Sequence, residues 1–150
     1  MKIAVLISGR ITRYDHCLIH FLINSSKIND MDLFLSINDD NIECEYFQIM
    51  KKILEPWIKC CEIKKYEIPP KIVDIFNSNE SMASHKIQCN LQNINNKFLP
   101  YNCLSMYYND NKSFEIACQY AEINNFEYDV FLKYRSDIIN NDIPNFSKVN

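Results

Sequence analysis

Near the amino terminus, residues 2–8 form a run of strand length that is apolar almost without interruption, and the chain's only glycine, Gly9, follows it at once. A strand with no polar alternation is buried on both faces, and such strands belong to parallel sheets covered by helices on either side. This one run therefore argues against an all-helical chain and against a sheet open to water on one face. It predicts a first strand whose carboxyl end turns at Gly9.

The pattern that follows alternates helix and strand. Leu18, Phe21, Leu22 and Ser25 fall at helical spacing, which predicts a helix from about Tyr14 to Asn24. Asp32 to Ile37 reads as a second strand, ending in the polar cluster Asn38, Asp39, Asp40 and Asn41. That cluster can cap the next helix, from about Ile42 to Leu54, with Phe47, Ile49, Met50 and Ile53 as its apolar face. Cys60 to Ile68 reads as a third strand, stopped by Pro69 and Pro70. Residues 71–100 are read as a short helix and a long loop. A long helix is then predicted from about Asn102 to Asn124, where Leu104, Tyr107, Tyr108, Phe114, Ala117, Cys118 and Ala121 share one side. Asn111 interrupts that stripe, and its aromatic members are assigned to the core. Tyr128 to Tyr134 is the fourth strand. Strands alternating with helices from the first residue onward predict an α/β protein with a mostly parallel sheet and helices on both faces.

At 150 residues and 47% hydrophobic, the chain is expected to be a single domain, 1–150, built on one core. A net charge of −3 supplies no general basic field for a nucleic-acid polymer. No run approaches the ~18 apolar residues of a membrane span, and Lys2 and the short run after it lack the cleavage site of a secretory signal. The expectation is a soluble, cytoplasmic protein. Its seven cysteines contain no CxxC pair and are odd in number, so they read as reduced, partly buried small hydrophobes rather than as a disulfide or zinc framework. His16 and His20 stand four apart on a predicted helix without the intervening glutamate of metalloprotease chemistry, and read as ordinary helix-face residues. No nucleophile constellation and no P-loop is present.

Ligands of open parallel sheets bind beyond the carboxyl ends of the strands. The residues the topology should collect there are scarce types. Arg10 and Arg13, two of three arginines, follow Gly9, and the third, Arg135, ends the fourth strand just before Ser136 and Asp137. Together Ser8, Gly9, Arg10, Arg13, Asn38, Asp39 and Arg135 form an inventory for a nucleotide diphosphate. Glycine permits positive φ or close approach, arginine offers a planar fork to phosphate oxygens, and a carboxylate such as Asp137 can hold a divalent cation. For Asp39 and Asp40, helix capping is an equal alternative.

The opening KIAVLISGRITRYDHCL and the stretch NCLSMYYNDNKSFEIACQYAEINNFEYDVFLKYRSDI resemble a group of glycosyltransferase-A-type glycosyltransferases found in large DNA viruses and bacterial polysaccharide clusters. The likeness rests on a tyrosine-rich helix leading into a strand that ends in Arg-x-Asp, where other such transferases carry Asp-x-Asp. It implies a Rossmann-like fold, a UDP- or GDP-sugar donor, and Mn²⁺ or Mg²⁺ held at Asp137 with Arg135 supporting the diphosphate. It also implies transfer of the sugar to a hydroxyl acceptor. That group's fold normally continues into an acceptor-binding half well beyond the Arg-x-Asp strand, whereas this chain ends about a dozen residues after it. The expectation is a fragment, a truncated paralogue, or a donor half that works with a partner chain completing its sheet. The alternative is a catalytically degenerate module kept for protein contacts.

Overall fold

A computed structural model describes residues 1–9, 16–38, 42–65 and 100–134, with the single positions 70 and 74. Seven elements lie within these residues: β1 (Lys2–Gly9), α1 (His16–Ser25), β2 (Asp30–Asn38), α2 (Glu45–Leu54), β3 (Ile58–Lys64), α3 (Pro100–Ile123) and β4 (Val130–Lys133). The readings for residues 71–99 and for the tail beyond Tyr134 lie outside the described residues, as do those for residues 10–15, 39–41 and 66–69, apart from the single position 74.

The sheet is four-stranded and wholly parallel, in the order β3-β2-β1-β4, which is an α/β, Rossmann-like arrangement. β1 and β2 pair without slippage from Lys2↔Asp30 to Gly9↔Ile37. β3 joins β2 through an irregularity at Leu33/Phe34, after which Phe34 faces Cys60 and Asn38 faces Lys64. The continuous apolar run of β1 has the two-sided burial it predicts. Ile3, Val5 and Ile7 pack with Leu18, Phe21 and Leu22 of α1 and with Met50 and Leu54 of α2. Ala4 and Leu6 point the other way, into a second cluster with Phe34, Ile116, Ala117, Ala121 and Tyr128. The helices therefore cover both faces, α1 and α2 one and α3 the other. Small residues at 4, 117 and 121 let the α3 backbone lie close on the sheet.

Three expectations need correction. On α3, Tyr107, Tyr108 and Phe114 are exposed, Tyr107 to 65%, while the buried stripe runs through Asn109, Ser113, Ile116, Ala117 and Ala121. The cause lies under the helix. The sheet face beneath its first half ends in polar residues, Ser8, Ser36 and Asn38, so polar residues of α3 turn inward to meet them. On α2, Ile49 and Ile53 are exposed and Leu54 takes their place in the core beside Phe47 and Met50. Cys44, Cys60 and Cys61 are free but exposed rather than partly buried, the last two because β3 is an edge strand.

The amino-terminal edge of the sheet is pinned by one buried carboxylate. Asp32 is 2% exposed, and the Tyr128 hydroxyl donates to its Oδ2 at 2.6 Å. Lys59 and Lys2 approach it at 3.4 and 3.9 Å. Burial, reinforced by the bond to Asp32, pushes the Tyr128 phenol well above its usual range. Lys2 also lies over the Phe126 ring, 3.6 Å from its centroid, and its backbone N–H donates to Asp129. A charged group so far from water survives only when paired this thoroughly.

Candidate functional site

The site begins with topology. From β1 the chain steps to β2 and then to β3 in one direction, with α1 and α2 on one face. The next crossover returns past β1 to place β4 on its far side, with α3 on the opposite face. Connections on either side of β1 therefore leave to opposite faces, and in open parallel sheets such a switch point, here between the carboxyl ends of β1 and β4, is where a ligand crevice forms. Ser8 and Gly9 lie on one side of it. Lys133 and Tyr134 lie on the other, where the Tyr134 N–H donates to the Leu6 carbonyl at 2.9 Å.

Gly9 has φ +89°, and a β-carbon built there would meet nothing within 4 Å. Of the two roles open to it, the structure assigns backbone conformation rather than close packing. Ser8 points to the α3 face, where its hydroxyl donates to Asp110 Oδ1, and the Lys133 ammonium donates to Asp110 Oδ2. The Ser113 hydroxyl caps the Asp110 carbonyl at 2.8 Å, which ties the same turn of α3 to itself. One carboxylate on α3 thus gathers a hydroxyl from β1 and a cation from β4, and it locks the helix across the two strands.

Beside this cluster, at the carboxyl ends of β2 and β3, a cavity of about 150 Å³ opens between the sheet and α3. Ser36, Asn38 and Asn109 line it, all at least nine-tenths buried, with Glu62, Lys64 and Lys112 among the other lining residues. The register sets Ser8 beside Ser36, and Asn109 adjoins Asp110 in the chain, so cluster and cavity form one polar layer beneath α3.

Of the residues expected at the site, Ser8, Gly9 and Asn38 are described, and the β1–β2 register brings all three to the same edge of the sheet. Arg10, Arg13, Asp39, Arg135 and Asp137 lie outside the described residues. Asp110, Lys133, Ser36 and Asn109 were not singled out by sequence reasoning. A signal existed for two of them. Ser36 interrupts an otherwise apolar strand at a buried position and Lys133 ends another on its α3 side, places where a polar residue calls for a partner. Asn109 and Asp110 sit in the polar stretch NDNK, where nothing but the true helix phase separates an inward from an outward residue.

Among the described residues no three of His, Cys, Asp and Glu gather into a metal-binding group. A magnesium-type cation shared with substrate phosphates does not need such a cage, since one or two carboxylates suffice when phosphate oxygens and waters complete the shell. No helix of the described residues is long and apolar enough to cross a membrane. Comparison with protein-family models, with curated proteins and with solved structures found no match to this chain.

Proposed function

We propose that this chain binds the diphosphate of a UDP- or GDP-sugar at the β1/β4 crevice, together with Mn²⁺ or Mg²⁺, as the donor-binding part of a glycosyltransferase. The observation that carries the reading is the strand order. It converges the Ser8–Gly9 turn on the end of β4, the strand whose sequence runs on directly into Arg135, Ser136 and Asp137. The resemblance to glycosyltransferase-A-type enzymes supports the same donor class. In this reading Asp137 holds the cation, Arg135 and Arg10 contact phosphate oxygens with Arg13 nearby, and Gly9 and Asp39 face the nucleoside. A bound divalent cation would supply Lewis-acid stabilisation of the departing diphosphate. The residues of the chain orient the donor, balance its charge and exclude water from the bond to the sugar. The sugar passes to a hydroxyl acceptor in the complete assembly.

Calorimetric titration with UDP, GDP and their sugars, with and without Mn²⁺, tests this. Metal-dependent binding of one nucleotide is the expected result. Asp137→Ala should lose it while keeping the circular-dichroism spectrum, and an unchanged titration curve for that variant sinks the assignment. A second reading, a degenerate module kept for protein contacts, draws on the exposed stripe Tyr46, Ile49 and Ile53 along α2. A folded chain without affinity for any nucleotide favours it.

A further inference from the structure

The cavity beneath α3 holds two polar side chains without a partner. Ser36 is 4% exposed and Asn109 is 8% exposed, and both line the space. Among the described residues neither the Ser36 hydroxyl nor the Asn109 carboxamide makes a side-chain hydrogen bond, whereas Asn38 beside them has a partner. Residues this well covered whose polar groups open onto a cavity are placed to bond whatever fills it. Here both stand against open space of about 150 Å³. That space is ample for one small polar ligand.

The charges at the rim decide its class. Among the described residues, Lys64, Lys65 and Lys112 line the cavity together with one carboxylate, Glu62. Each lysine has a neighbouring glutamate: Glu62 beside Lys64, Glu43 at 3.4 Å from Lys65, and Glu115 at 3.6 Å from Lys112. Glu43 and Glu115 lie outside the lining, and exposed pairs of this kind hold their partners weakly, so the ammonium groups can turn inward towards an anion. A hydroxyl and a carboxamide at the floor with lysines at the mouth match the donors that hold phosphate oxygens.

We propose that this cavity is a binding site for a small phosphate-bearing ligand, with Ser36 and Asn109 as its buried donors and Lys64, Lys65 and Lys112 as its cationic rim. The site adjoins the Ser8–Asp110–Lys133 cluster but needs neither a nucleotide nor a divalent cation. Thermal melts in chelator, without nucleotide, test it with two probes, inorganic phosphate and glycerol 3-phosphate. The Tm of the unaltered chain should rise with probe concentration, as binding to the folded state alone requires. A larger rise with the ester identifies a phosphomonoester, and equal rises identify the free anion.

Ser36→Ala and Asn109→Leu should abolish the rise. Without ligand both should melt no lower than the unaltered chain, because neither removes a hydrogen bond within the protein. Ser36→Ala serves alone if the larger replacement prevents folding. Asp137→Ala should keep the full response, which separates this site from the proposed nucleotide site. The proposal is overturned by no rise with either probe, by an undiminished rise in Ser36→Ala, or by a ligand-free Tm for Ser36→Ala well below that of the unaltered chain.

Discussion

Replacing Tyr128 by phenylalanine removes one atom from the buried end of the sheet, and its effect can be worked out from the geometry. The phenol donates to Asp32 Oδ2 at 2.6 Å, and the carboxylate that receives it is 2% exposed. The ring itself contacts Phe34, Phe126 and Phe131 at centroid distances of 5.8, 5.0 and 5.7 Å, edge to face in each case. Phenylalanine keeps those contacts, so the loss isolates the hydrogen bond. A bond to a charged acceptor contributes about 1.5–3 kcal/mol. Asp32 retains Lys59 at 3.4 Å and Lys2 at 3.9 Å, both of which reach it from partly exposed positions and share its charge. We expect a loss of about 2 kcal/mol in urea denaturation with an unchanged m value, or roughly 4–8 °C in Tm for a chain of this size.

The pH dependence has a definite sign. The folded phenol is pushed above its ordinary value of 10.0 by burial first and by Asp32 second. Its contribution is therefore complete below about pH 10 and is lost as the pH climbs further, because the unfolded chain releases this proton first. The stability gap between Tyr128→Phe and the unaltered chain should be constant from about pH 6 to 9 and shrink above about pH 10. A loss under ~0.5 kcal/mol, or a gap that widens in alkali, refutes the account of this cluster.

Two further outcomes concern the turn and the thiols. Gly9→Ala should cost about 1–2 kcal/mol through its positive φ alone, with no steric component, and Gly9→Asn should cost less because asparagine tolerates that region better. Equal losses in urea titrations for the two would show that something other than φ decides. For iodoacetamide labelling followed by mass spectrometry, Cys44, Cys60 and Cys61 should react ahead of Cys118. The first three are exposed, whereas Cys118 is partly covered and burial raises its thiol pKa, which leaves less thiolate to attack. Faster labelling of Cys118 than of the β3 pair would contradict the placement of α3.

What the sequence determined by itself is the fold class and the set of elements among the described residues. The run after Lys2 has no polar alternation, and this dictated a strand buried on both sides, hence a parallel sheet with helices on each face. Local periodicity sufficed for α1, whose buried residues Leu18, Phe21, Leu22 and Ser25 are those its spacing names. Periodicity failed where two stripes competed. On α2 a stripe through Tyr46, Ile49 and Ile53 is as apolar as the one through Phe47, Met50 and Leu54, and on α3 the tyrosines lost to Asn109 and Ser113. In both cases the choice of face is made by what lies opposite, which a single helix does not encode.

The site divides the same way. Ser8, Gly9 and Asn38 were legible because strand ends in such a sheet meet at one edge, whatever the details of packing. The bond from Ser8 to Asp110 spans 102 positions, and that from Tyr128 to Asp32 spans 96. Pairings at that separation arise from the crossover that carries α3 over the sheet and sets β4 beside β1. The tertiary structure alone decided them, since a carboxylate chooses its partner by proximity and desolvation, and both are set by residues far away in the chain.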